Sequence, residues 1–190
     1  MKWIVVSAVV SILCGVCSAE PPQSLCAAVT VTADQRPSYS TPPAFNAVRT
    51  LQLEYHIELS SPVTGQHVIE VDVATPNGHR YQVLTAPVSD DPSHEGVPTR
   101  VTGYPYPVPI RALHLSTSRG QEVQGTTLRL PVAGTPILSN SLLGTWSLRV
   151  RLDGADVSCN GPELFQLLPM GEGIFADDFE SGSTSSWAGP

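Results

Sequence analysis

The sequence predicts an all-β protein, built as an antiparallel β-sandwich of about seven strands. Three observations carry that reading. Apolar residues recur with period two, and helical periodicity is almost absent after the first 19 residues. Gly, Pro, Asn and Asp cluster between the alternating runs, where turns belong. The runs are short and numerous, as in a sandwich. A closed barrel is the second architecture that such strands build.

The chain of 190 residues opens with MKWIVVSAVVSILCGVCSA. Lys2 supplies a positive start, Trp3 to Val16 an apolar stretch, and Cys17-Ser18-Ala19 a small-residue cleavage site, so residues 1–19 read as a secretory signal. The stretch is too short to span a bilayer, and no stop-transfer charge cluster follows, so no stable membrane insertion is expected after cleavage. Lipidation at Cys14 or Cys17 is the alternative. Ile12-Leu13 and Gly15-Val16 precede those cysteines, not the small pair that lipidation uses. The expected organisation is then a signal peptide over 1–19, a β-sandwich domain over 20–168 and a flexible C-terminal tail over 169–190.

The first strand candidate is Ala27 to Ala33. The Pro-rich run Arg36 to Phe45 reads as an ordered loop or short edge strand, because proline cannot donate to a ladder. In VRTLQLEYHIELSS, Leu51, Leu53, Tyr55, Ile57 and Leu59 share one face, and Gln52, Glu54, His56 and Glu58 the other. Ser60-Ser61-Pro62 and Thr64-Gly65 read as the turn of a hairpin to the next strand. There Ile69, Val71 and Val73 alternate with Val68, Glu70 and Asp72. Pro76-Asn77-Gly78 links this strand to the run His79 to Leu84. The Pro-rich stretch Ala86 to Ile110 again reads as loop or short edge strand. Thr127 to Val132 is another candidate. In GTWSLRVRLDG, Trp146, Leu148, Val150 and Leu152 alternate with polar residues, and Asp153-Gly154 closes the strand. Pro162 to Leu168 is the last.

Charge narrows the partners. With Lys2 removed, nine arginines stand against 17 acids, a net charge of −8. The arginines are scattered and form no stripe to follow a phosphate backbone, which excludes nucleic acid. Two cysteines survive cleavage, Cys26 and Cys159. In an exported chain they predict one disulfide closing a loop of more than 130 residues. Two free thiols are the other possibility.

The stretch VIEVDVATPNGHRYQVL and the later LRLPVAGTPILSNSLLGTWSLRVRLDG resemble immunoglobulin-like sandwich modules of secreted bacterial proteins. The resemblance rests on the turn Thr75 to Gly78, on Pro131 to Ile137, and on the strand opening Gly144 to Trp146 and ending Leu152 to Gly154. It covers about Val48 to Gly154 and implies an immunoglobulin-like fold and export. The cysteines do not take the Cys…Trp…Cys spacing of antibody domains, so Trp146 is expected as core filler.

No catalytic signature is present. The Gly-x-Ser-x-Gly elbow, zinc-binding His-Glu-x-x-His and a phosphate-cradling glycine loop are all missing. His56 shares a strand face with Glu54 and Glu58, which is half a metal site or a solvated polar face. Ser89 to Glu95 is rich in oxygen ligands, but it lacks the spacing of a calcium loop. No metal or cofactor is expected. The most unusual internal motif is Tyr104-Pro105-Tyr106-Pro107-Val108-Pro109. Its prolines favour an extended run with Tyr104 and Tyr106 near one another, a surface for sugars or peptides or a stiff cover for a sheet edge.

The chain ends in IFADDFESGSTSSWAGP. The segment resembles a C-terminal string of exported proteins from certain bacteria, typically IF-x-D-x-FESG-x-T-x-x-W. A similar string opens jelly-roll, lectin-like modules, and no such module is expected after Trp187. Asp177, Asp178, Phe179 and Glu180 form its acidic-aromatic centre. It reads as an end with one small docked turn, a tag for export or surface machinery, a strand that pairs with another molecule, or a calcium contributor.

The functional expectation is an exported, non-catalytic binding or structural module, secreted or periplasmic, whose partner is a protein or glycan of the bacterial envelope or exterior. The alternative is a carbohydrate-binding module using Tyr104, Tyr106 and Trp187. A small secreted hydrolase is the third reading. It requires a histidine within reach of a serine or carboxylate in a cleft.

Overall fold

A computed structural model describes residues 25–60, 63–118 and 120–169. The expected signal segment 1–19 and the tail motif with Asp177, Asp178, Phe179, Glu180 and Trp187 lie outside the described residues. In chain order the elements are β1 (Cys26–Ala33), β2 (Arg36–Pro37), β3 (Ala44–Asn46), β4 (Gln52–Ser60), β5 (Gln66–Ala74), β6 (Arg80–Ser89), a 3-10 turn (Pro92–His94), β7 (Pro98–Thr99), β8 (Val108–Pro109), β9 (Arg111–Ala112), β10 (His114–Ser118), β11 (Gln121–Pro131), α1 (Pro136–Ser139), β12 (Gly144–Leu152), β13 (Ala155–Asp156) and β14 (Leu164–Leu168). The fold is all-β, with one short helix.

The strands form two main sheets. One runs β10-β11-β4-β1-β2, and the other runs β3-β14-β12-β5-β6-β9 with β13 paired to β12. Period-two alternation explains their packing. Leu53, Tyr55, Ile57 and Leu59 of β4 are buried, as are Ile69, Val71 and Val73 of β5 and Trp146, Leu148, Val150 and Leu152 of β12. These side chains join one core cluster shared by both sheets. Trp146 is the core filler expected: it stacks on Phe165 at 6.0 Å, and Tyr81 meets it edge-on at 5.2 Å. Its indole nitrogen donates to the Leu142 carbonyl at 3.0 Å. Tyr55 ties the five-stranded sheet to this cluster by an edge contact with Phe165 at 6.0 Å. Burial pushes the Tyr55 hydroxyl's pKa far above its ordinary value, and that hydroxyl finds no partner among the described residues.

Cys26 of β1 is bonded to Cys159, with Cα atoms 4.9 Å apart. The bridge forms where the chain leaves β12 and crosses to the other sheet before returning as β14. At the crossing, Val29 donates to the Asn160 carbonyl at 2.7 Å, and Asn160 donates to that of Ala27 at 3.3 Å. Gly161 sits so close to β1 that a Cβ there would lie 2.0 Å from the Val29 carbonyl oxygen, and its φ of +136° suits glycine alone.

The turns follow their residues. Asp153 and Gly154 both take positive φ, 50° and 80°, between Leu152 and its partner Ala155. That is the two-residue hairpin that Asp-Gly encodes. Gly78 at φ 76° closes the β5–β6 hairpin as expected.

Four local expectations are corrected. The turn signals at Ser60 to Gly65 do not make a hairpin: β4 and β5 lie in different sheets. Both edges of β4 are already taken by β1 and β11, so β5 has no place beside it. Leu51 is 67% exposed rather than inward, because it precedes β4. There its amide donates to Asp34 and its carbonyl accepts from Val132 and Ala133. Glu54, on the face read as solvated, is only 1% exposed. Finally, β6 runs on through Pro87 to Ser89 as a long strand between β5 and β9, where a loop or short edge strand was expected. Val68, opposite Pro87, exchanges its own backbone bonds with Asp153 on the far side, so this is a non-hydrogen-bonded pair and the missing proline N–H costs nothing. The strand β10 had no sequence signal, since HLSTS offers a single large apolar residue.

Candidate binding site

The Tyr-Pro motif is the tip of a small hairpin. Its base is built by β7 and β8, which place Pro98 opposite Pro109 and Thr99 opposite Val108. Two facing prolines cannot exchange ladder bonds, so the base is closed one step further out. Gly96 donates to the Ile110 carbonyl at 2.8 Å, and Ile110 donates to that of Val97 at 3.0 Å. Val101 and Ile110 are buried and anchor the loop from beneath. The tip turns through Val101 to Tyr104, with a 3.1 Å bond from the Tyr104 amide to the Val101 carbonyl and Gly103 at φ +87°. Glycine serves there because the third turn position needs positive φ.

The two tyrosines differ. Tyr104 is 40% exposed, and its hydroxyl donates to the Val83 carbonyl of β6 at 3.2 Å, which fixes the ring. Tyr106 is 78% exposed. All three ring-to-ring contacts among the described residues lie in the core and involve neither. Around them is a cleft of about 240 Å³ lined by Arg100, Val101, Thr102, Tyr104, Pro105, Tyr106 and Pro107. The sequence reading had the tyrosines. It missed Arg100 and Thr102, which the turn folds back beside them.

A larger groove of about 790 Å³ opens beside the crossing to Cys159. Its charged walls are Asp72, Arg80, Arg149, Asp156 and Glu163. Arg80 grips Asp72 with two bonds of 3.0 and 2.6 Å, and Arg149 meets Asp156 at 3.4 Å. These groups satisfy one another across the outer face of the sheet and leave its arginines engaged.

Three of the five histidines have hydroxyl or carboxylate partners, and none lines either cleft. His56 lies between Thr127, 2.9 Å from Nδ1, and Thr32, 3.1 Å from Nε2. The Thr32 hydroxyl also reaches the buried Glu54 carboxylate at 3.3 Å. The hydroxyl of Thr32 donates to Glu54, so it accepts from Nε2–H, and Nδ1 accepts from Thr127. Gln52, Arg129 and the Gln35 amide complete the cover over Glu54. His94 bonds Ser89 at 2.9 Å, but that serine is wholly buried. His67 has Asp153 2.8 Å from Nδ1 and the Thr64 carbonyl 3.0 Å from Nε2. Both partners are acceptors, so the doubly protonated ring fits best. The bond to Asp153 accordingly raises its pKa and outweighs the opposing effect of desolvation.

The acidic loop after β6 uses its oxygens internally. Asp91 accepts from the Ser93 amide at 2.8 Å, which lowers its pKa. Asp90 accepts from the Gly65 amide, and Glu95 from that of Ala112. Among the described residues no group of three or more His, Cys, Asp or Glu is placed to hold a metal ion. No described helix is long and apolar enough to cross a membrane. The chain matches no family model, no curated protein and no solved structure.

Proposed function

We propose that the protein is an exported, non-catalytic binding module of the bacterial envelope or exterior, an immunoglobulin-like sandwich that presents the Arg100–Pro107 tip as its recognition surface. One observation carries this reading: two tyrosines line one cleft at a proline-stiffened tip, Tyr104 fixed by its hydroxyl and Tyr106 78% exposed, with neither ring stacked on another. A tip already ordered loses little freedom on binding, which favours affinity. The long-range disulfide fits an oxidising compartment outside the cytoplasm.

A glycan ligand is favoured by the shape and lining of the cleft. At about 240 Å³ it is smaller than the roughly 300–1,000 Å³ of drug-sized pockets and suits a single ring. Tyrosine faces beside a hydroxyl and a guanidinium match a sugar's apolar face and polar rim.

The test is a screen of surface polysaccharide fragments, with binding mapped by amide chemical shifts. The expected result is perturbation confined to residues 100–107 and lost in Tyr106→Ala, with an unchanged Tm. Perturbations centred on the groove at Asp156 and Glu163, or binding indifferent to Tyr106→Ala, would overturn the assignment.

A further inference from the structure

Arg100, like Arg36 and Arg49, forms no ion pair among the described residues, and of these three it alone lines either cleft. Arg80, Arg129, Arg149 and Arg151 are each in an ion pair, and Arg111 bonds the Thr127 carbonyl at 2.7 Å. Arg100 has no acidic partner among the described residues, and no carboxylate lines the cleft around it. It is an uncommitted planar cation beside two tyrosine rings on a chain of net charge −7. We propose that the tip selects carboxylate-bearing sugars, the uronic acid residues of an acidic glycan. Arg100 holds the carboxylate, and Tyr104 and Tyr106 hold the sugar ring. The inference rests on the tip being the binding surface and deepens that reading.

The chemistry follows from the group. A guanidinium presents two parallel N–H donors that match a carboxylate, a stronger and more directional contact than a neutral hydroxyl gives. The acidic excess of the chain does not cancel this. Charges beyond about 8–10 Å are largely screened at physiological salt, so the group in contact decides. Thr102 adds a hydroxyl that donates to or accepts from a ring hydroxyl. Gly103 and the prolines at 105 and 107 hold Arg100 and the rings on one short turn, so the three groups meet one residue of a polymer.

The experiment is calorimetric titration of the full chain with a galacturonic acid trisaccharide and with its methyl ester, which keeps the ring and removes the charge. The acid is expected to bind up to about fivefold more tightly than the ester, the scale of one charged contact at an exposed site. That advantage shrinks in high salt, disappears in Arg100→Gln and is partly restored in Arg100→Lys. Free acetate at the same concentration is expected to give no measurable heat, because charge without a ring does not engage the tyrosines. Equal binding of acid and ester, both lost in Tyr106→Ala, would overturn the charge selection and leave the tip as a glycan site. A preference for acid that survives Arg100→Gln would also overturn it. Absence of binding by either trisaccharide, with no shift changes at residues 100–107, would overturn both readings together.

Discussion

Two irregular segments of this protein meet opposite fates. The crossing Val157 to Glu163 and the tip Arg100 to Pro107 both lie between strands. The crossing is held by contact. A disulfide, two backbone bonds to β1 and a glycine with no clearance pin its backbone to the opposite sheet, while Ser158, Asn160 and Glu163 stay exposed. The tip is held at its base and by ring constraint, with prolines at 98, 105, 107 and 109, one tyrosine hydroxyl bond and two buried anchors. Rigidity gained by contact ties one strand to another, whereas rigidity gained from proline needs no such neighbour.

The sharpest way to break the comparison is to cut the staple. Replacing Cys26 and Cys159 by serine is expected to lower stability by up to about 5 kcal/mol in the chain-entropy view, because the bridge closes so long a loop. Denaturant unfolding of the oxidised wild type and the double variant measures it. A loss below 1 kcal/mol would mean that the backbone bonds alone secure the crossing.

Next in size is Gly161→Ala. A Cβ 2.0 Å from a backbone oxygen cannot be relieved by rotating a side chain, so β1 and the crossing must separate. The expected cost is about 3 kcal/mol, from overpacking combined with an unsuitable φ. The Val29 amide, which donates to Asn160, is expected to lose its protection from hydrogen exchange. An unchanged Tm would show the crossing to be no tighter than the tip.

The contrast was only half legible in the sequence. The strands β5 and β12 are readable because every second residue is Ile, Val, Leu or Trp, and Asp153-Gly154 names its own turn. The two cysteines beyond the expected signal segment leave one intramolecular pairing. What alternation cannot say is which sheet a strand joins. The signals at Ser60 to Gly65 mark a change of direction, and the direction proved to lead into the other sheet. Nor does it say what covers an outward side chain. Glu54 is buried by Gln52 of its own strand, by Arg129 opposite it on β11 and by Thr32 opposite it on β1, contacts that exist only once β1, β4 and β11 are aligned. At the tip, Tyr104 and Tyr106 stand out as residues. Arg100 gains meaning only when Gly103 turns the chain back on itself.

The smallest effect lies one turn before the crossing, where the Asp153-Gly154 hairpin is tied to β5 by His67 rather than by a covalent bond. The folded pKa of His67 is raised above its ordinary value near 6.5. Its contribution is therefore complete below about pH 6.5 and is lost as pH rises through the raised folded value. The pair is partly exposed, so roughly 0.5 kcal/mol is expected, equivalent to about 1–2 °C in Tm for a chain of this size. Comparing wild type with His67→Ala isolates it: the stability gap is wide at pH 5.5 and narrows by pH 8.5. A gap independent of pH would mean that His67 acts through its ring packing and the bond to Thr64. The charge on Asp153 would then play no part in holding the turn that precedes the crossing.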